Sequence, residues 1–210
     1  MNKSGNGPSS VSVIDVATLA EVNLIALTGS GPEGIAISPN GAYVYVVNRD
    51  SASVDVIETA TDTVVASGLP APSGPRDAAF TPDGSKVYVV GESDAVVLPG
   101  DPMTPPGLAT VPNTSGRDVA VSADGQFAYV ARGPSNGSVA VVDTATDAVV
   151  ASINLLTGAA YGIDLCTDGR TAYVSNDGSE LAIVDLVDQV QVATSIVGNK
   201  AKQVKVLQGP

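Results

Sequence analysis

The sequence predicts an all-β fold assembled from one repeated four-strand unit, and three observations predict it. SPNGAYVYVVN, from Ser38 to Asn48, returns as TPDGSKVYVVG from Thr81, SADGQFAYVAR from Ser122 and CTDGRTAYVSN from Cys166. The marker glycines Gly41, Gly84, Gly125 and Gly169 fall about 41 to 44 residues apart, the spacing of one propeller blade. Runs of four to seven residues alternate with period two and carry β-branched residues on both faces, as strands covered on both sides do.

Each unit reads as four short runs. The first is small and apolar: GIAIS from Gly34, DAAFT from Asp77, DVAVS from Asp118, GIDLC from Gly162. A PNG, PDG, ADG or TDG turn follows, in which Asn or Asp tolerates the left-handed region and Gly takes the positive φ. The second run carries a tyrosine column at Tyr45, Tyr88, Tyr129 and Tyr173, expected to pack between units with its hydroxyls at a polar edge. The third is SVDVIET from Ser53, DAVVLPG from Asp94, SVAVVDT from Ser138 and ELAIVDL from Glu180. Turns such as TATD lead into the fourth: TVVAS, GLATV, AVVAS and VQVAT.

Four-stranded antiparallel sheets with two apolar faces must stack on like neighbours, and radial stacking gives a β-propeller. A β-solenoid is disfavoured because its rungs are shorter and parallel, whereas tight hairpins demand antiparallel strands.

The ends complete the pattern. SVSVIDVAT from Ser10 matches a third run, EVNLIAL from Glu21 a fourth, and QVKVLQ from Gln203 a first. The expected organisation is a flexible segment over 1–9 and a single propeller over 10–210. Within it lie a partial blade (10–32), blades at 33–75, 76–116, 117–160 and 161–202, and a closing inner strand (203–210). That makes about five blade units, one split and incomplete. A five-unit ring is the preferred reading. An arc of a longer, seven-bladed protein and completion by a second chain are the alternatives.

Composition narrows function. Twenty-two acids against 10 Lys and Arg give a net charge of −12, which disfavours nucleic acid. No apolar run reaches membrane-spanning length, so no membrane insertion is expected. Histidine is absent, removing the commonest general base and zinc ligand. The single cysteine, Cys166, excludes an intrachain disulfide and reads as a packing residue. The first ten residues lack an apolar signal-peptide core. The protein is therefore expected to be cytoplasmic, or extracytoplasmic if a leader precedes this chain.

Two acidic columns read as structural. Asp15, Glu58, Asp143 and Asp185 each precede a turn whose N–H groups they can accept. Asp83, Asp124 and Asp168 sit in the tight turns, where Asn40 shows that charge is not required.

The candidate site lies where the chain leads into each inner strand. Glu33, Arg76, Arg117, Tyr161 and Gln203, followed by Gly34, Asp77, Asp118, Gly162 and Val204, should ring the channel mouth. Arg76-Asp77 and Arg117-Asp118 suggest either mutual salt bridges across the ring or a polar patch for an anionic or peptide-like ligand. Asp164 replaces the alanines Ala36, Ala79 and Ala120. It needs channel water, Arg117 or a cation shared with Asp77 and Asp118 as partner. Hard oxygen ligands there would favour Ca or Mg.

The repeats, of the form SPDG-x-x-x-YV-x-N…S-V-x-VIDTAT, resemble the YVTN family of β-propeller repeats over nearly the whole chain. Tyr45 to Asn48 and Tyr173 to Asn176 match closely, while YVVG and YVAR lose the Asn. The resemblance implies secreted, periplasmic or surface-layer proteins that are mostly binding or scaffold modules. It brings no catalytic motif. Related lactonase-like propellers are enzymes that use metal ligands or His. The leading expectation is a non-enzymatic module engaging a protein or glycan through its loop-rich face. The alternatives are a cation-dependent lactonase-like hydrolase and a self-assembling surface subunit, homo-oligomeric through the incomplete blade. Residues Leu98 to Gly107 are expected to form an irregular edge, because Pro cannot donate in a ladder.

Overall fold

The computed structural model describes residues 9–104, 109–133, 137–156, 158–176, 179–197 and 204–206. Among them no helix occurs, and none is therefore long and apolar enough to cross a membrane.

The N-terminal pair, β1 (Ser10–Asp15) and β2 (Ala20–Ala26), forms a two-stranded antiparallel sheet. Four antiparallel blades follow in chain order. Blade 1 is β3 (Pro32–Ile37), β4 (Tyr43–Asn48), β5 (Ser53–Glu58) and β6 (Thr63–Pro70). Blade 2 is β7 (Asp77–Phe80), β8 (Lys86–Val90), β9 (Ala95–Pro99) and β10 (Ala109–Val111). Blade 3 is β11 (Asp118–Val121), β12 (Phe127–Arg132), β13 (Ser138–Asp143) and β14 (Ala148–Asn154). Blade 4 is β15 (Ala160–Leu165), β16 (Thr171–Asn176), β17 (Glu180–Asp185) and β18 (Val190–Ile196). The inner strands β3, β7, β11 and β15, with Val204 and Lys205, line one central cavity of about 590 Å³. This is a β-propeller of four full blades and one thin unit.

The turn chemistry works as read. Gly41, Gly84, Gly125 and Gly169 take φ of 71°, 72°, 73° and 67°. Ser38, Thr81 and Ser122 donate their hydroxyls to Asn40, Asp83 and Asp124 at 2.6–2.7 Å. Those carboxylate or amide oxygens also accept the amides of Ala42, Ser85 and Gln126 at 3.0 Å. In blade 4 Cys166 replaces that hydroxyl, and Thr171 supplies one to Asp168 instead, at 2.8 Å. Three of the four outer acids behave likewise, while Glu58 accepts the Thr61 hydroxyl, at 2.7 Å. Asp15 accepts the Thr18 amide, Asp143 the Ala145 and Thr146 amides, and Asp185 the Val187 and Asp188 amides. These bonds hold the Asp15, Asp143 and Asp185 carboxyls below their ordinary range, backbone donors contributing most.

Blades pack by a directional rule. The tyrosine faces of blades 1, 2 and 3 each meet the opposite face of the blade that follows. Tyr45, Val47, Val54 and Val56 lie on Val87, Val89 and Leu98. Tyr88, Val90 and Val97 lie on Val119, Val130 and Val142, and Tyr129, Val139 and Val141 lie on Val174, Ala182 and Val184. The thin sheet covers blade 1 from behind, with Val11, Ile25 and Leu27 on Val46 and Ile57. Removing this apolar area from water is the main stabilising term.

Two expectations need adjusting. Blade 2 is regular through Pro99, so its irregular edge begins at Gly100 and not at Leu98. Pro99 is tolerated because it ends the strand, where a lost donor matters least. Residues 204–206 form no strand. Their bond to blade 4 is the Val206 amide donating to Asp164 Oδ2 at 2.7 Å. Gln203 and residues 207–210 of the expected closing strand lie outside the described residues, as does the 1–8 segment.

Candidate functional site

The start of each inner strand points its side chains at the mouth of the central cavity, and the structure divides them into two groups. Glu33, Gly34, Asp77, Asp118, Asp164 and Val204 line the cavity. Arg76 and Arg117 do not. They flank a separate groove of about 280 Å³ with Gly91, Glu92, Ser115, Gly116 and Gly133. Gly162 is buried in β15, donating its amide to Ser175 Oγ at 3.0 Å.

The cavity carboxylates bind backbone across blades. Asp77 Oδ2 accepts the Val119 amide at 3.4 Å, Asp118 Oδ2 the Ile163 amide at 2.9 Å, and Asp164 Oδ2 the Val206 amide. Each inner strand is thereby tied to the next segment round the ring. Burial, then a hydrogen bond from and the charge of Asp118, push the Asp77 carboxyl well above the usual range.

Two sequence expectations are corrected here. Asp164 does not pair with Arg117. Its Oδ1 accepts the Leu165 amide at 3.1 Å, and the Lys205 ammonium stands 4.0 Å away. Nor do Asp77, Asp118 and Asp164 converge on a cation. Among the described residues no three His, Cys, Asp or Glu side chains group closely enough to hold a metal ion, because each of these aspartates is directed to a different neighbouring strand. Burial, then the nearby Asp168 and Asp164 charges, raise the Cys166 thiol.

The arginines also depart from expectation. Arg76 bonds not to an inner-strand aspartate but to Glu33 at 3.2 Å and Glu92 at 2.8 Å. Arg49 reaches the same two acids, at 3.5 and 2.8 Å. Two cations and two acids thus form a neutral network from blade 1 to blade 2. The two guanidiniums hold the Glu92 carboxyl below its ordinary range. Arg117 stands apart. Its guanidinium carbon lies 4.2 Å from the centroid of the Tyr161 ring, a cation–π contact. Among the described residues it makes no ion pair.

Arg49, Glu92 and Gly133 were missed by the sequence reading. All three follow the second run directly, after YVVN, YVVG and YVAR. That column changes from cation to acid to nothing, and this was the legible signal. Asp177, its fourth member, lies outside the described residues.

Comparison with known proteins bears on the fold. Two solved propellers are similar. The fold stands with them. Hydrazine synthase of Kuenenia stuttgartiensis matches with a TM-score of 0.70 and 23% identity, over 80% of this chain and 49% of that one. The Cps50 (Swd1) β-propeller domain of Myceliophteria thermophila matches with a TM-score of 0.71 and 14% identity, over 85% and 59%. The chain thus spans about half the length of the first and three-fifths of the second. No family model and no curated protein matches the sequence. At these identities the likeness concerns the propeller fold alone.

Proposed function

We propose that this propeller is a non-enzymatic binding module that takes a protein partner on the loop face around Arg117. The observation that carries the reading is a guanidinium with no ion pair among the described residues, on an otherwise strongly acidic chain. Cations are scarce here, 10 against 22 acids, and the neighbouring Arg49 and Arg76 are matched acid for base. A charge left open beside a groove is a recognition element.

A protein fits better than a glycan. Sugars are gripped by stacking on exposed aromatic faces, and this chain has no Trp and only eight other aromatics, six Tyr and two Phe. Tyr161, the aromatic at the site, has its face taken by Arg117. The absence of histidine and the raised Cys166 thiol favour binding over hydrolysis. The likeness of the repeats to YVTN proteins favours a periplasmic or surface setting.

Selection of a displayed random-peptide library on the protein tests the reading. Enriched peptides should lose binding to an Arg76→Glu/Arg117→Glu variant and keep it for Asp83→Ala, in a turn away from the groove. Peptides indifferent to the arginines would overturn it.

A further inference from the structure

The geometry points to a carboxylate subsite at Arg117, fitted to an Asp or Glu side chain of the partner. This inference rests on the binding role proposed above and adds the chemistry of one contact.

The argument starts from the repeat. Arg76 and Arg117 occupy the same place in successive blades. Arg76 is satisfied by Glu92, the residue after the second run of its own blade, and by Glu33 of the blade before. Blade 3 supplies neither partner to Arg117. The residue corresponding to Glu92 is Gly133, and the one corresponding to Glu33 is Arg76 itself. The carboxylate that completes this arrangement in blade 2 is missing in blade 3, and a glycine stands in its place.

The Gly133 backbone packs closely on the Nε edge of the guanidinium: a Cβ built there would lie 3.1 Å from Arg117 Nε and 3.4 Å from the Ala160 carbonyl. The adjoining groove, about 280 Å³, holds one side-chain-sized group and is too small for a pyranose chain. The guanidinium carbon stands 4.2 Å from the Tyr161 ring centroid, a contact that restrains the head group. Its N–H donors make no hydrogen bond among the described residues. A planar fork of this kind matches the two oxygens of a carboxylate. Arg76 borders the same groove and adds positive potential, although Glu33 and Glu92 neutralise much of it.

An anion entering a molecule of charge −12 meets long-range repulsion, so the site selects a local carboxylate and not a highly acidic partner. Its affinity should rise with salt up to about 0.1 M, where the Debye length of about 10 Å removes distant charges and spares the contact.

The test is an NMR titration of the whole chain with acetyl-Gly-Glu-Gly-amide and acetyl-Gly-Gln-Gly-amide. Expected are saturable shifts of the Arg117 Nε–H signal and of the Gly116 and Gly133 amides with the Glu peptide. The Gln peptide should bind about tenfold more weakly or worse, the loss of one charge-assisted pair. Arg117→Lys, which keeps the charge and loses the fork, should weaken the Glu peptide similarly. Spectral dispersion of the variant confirms that it folds. Equal binding of the two peptides, or a response unchanged in Arg117→Lys, overturns the carboxylate assignment and leaves the display result to decide the binding role. A stronger response to glucuronic acid than to the Glu peptide overturns the protein-side-chain assignment.

Discussion

Asp55 accepts the amide and the hydroxyl of Thr28, at 2.9 and 2.8 Å, from a position fully buried inside blade 1. It also accepts the Gly29 amide at 2.9 Å. The other three blades place Val96, Ala140 and Ala182 at this point in β9, β13 and β17. The carboxylate exists to anchor the chain leaving the thin sheet, which no other blade has to do.

Asp55→Ala should therefore destabilise the protein by about 1.5–3 kcal/mol, the range for hydrogen bonds to a charged group, because it removes the acceptor of the Thr28 and Gly29 bonds. The damage should be local first. Hydrogen exchange of the Ile25 and Leu27 amides should accelerate more than that of Val130 or Val174, as the thin sheet opens ahead of the blades. Uniform acceleration across all blades would contradict the anchoring role.

The tyrosine column separates into two kinds. Tyr45 donates to Pro99 O at 2.9 Å, and Tyr88 donates to Asp147 Oδ1, each reaching the following blade. Lys86 Nζ binds Asp147 Oδ2 at 2.7 Å and the Thr144 carbonyl at 2.7 Å beside it. Burial raises both phenols, and the Asp147 bond adds to the effect at Tyr88. Tyr173 makes no such bond among the described residues and is only partly buried. Tyr88→Phe should cost about 1.5–3 kcal/mol, the range for a hydrogen bond to a charged group. Tyr173→Phe should cost under about 0.5 kcal/mol, as for other surface changes. Denaturant unfolding of the two variants checks the contrast.

The difference between those tyrosines shows what the sequence could and could not reveal. Strands and turns were legible because their causes are local: Asp83 caps its own turn, and Gly84 needs only its own φ. The tyrosine column was visible, but which hydroxyl finds a partner depends on residue 147, 59 positions away. The same limit explains the site. Arg76-Asp77 suggested bridges to the matching pair across the ring, yet Arg76 turns to Glu33, brought near by radial stacking, and to Glu92, set beside it by the β7–β8 pairing. Asp164 announced itself as an anomaly in its column. Its partner, the Val206 amide, lies in a segment with no strand hydrogen bonding to betray it.

Two non-glycine residues hold left-handed backbone in the outer turns without help from their side chains. Leu19 has φ 54° and Gln189 φ 55°, where blades 1 and 3 use Asp62 and Asp147. Asp and Asn tolerate this region and Leu does not, at about 1–2 kcal/mol per residue. Leu19 is also exposed, so it contributes little burial in return. Leu19→Asn and Gln189→Asn should each stabilise by about 0.5–1 kcal/mol, raising Tm by about 1–4 °C for a chain of this size. A fall in Tm for Leu19→Asn would mean that its side chain packs on something.

Asp77 should give the protein a distinctive pH response. A carboxyl raised in the folded state binds its proton more tightly there than in the unfolded chain. Its contribution favours the fold at and below the unfolded value, about 3.9. It is lost as pH climbs from there through the raised folded value. The exposed acids work in the opposite direction. Asp15, Asp83, Asp124, Asp143, Asp168, Asp185 and Glu92 are all lowered, so their contribution is full above the unfolded values and fades in acid. Asp77→Asn isolates the first effect. Asparagine keeps an acceptor for the Val119 amide and a donor toward Asp118, with no proton to lose. Unfolding followed from pH 4 to pH 8 should show the variant gaining on the wild-type protein as pH rises, and the gap should level off above the Asp77 titration. A constant gap across that range would show that Asp77 ionises freely in the cavity wall.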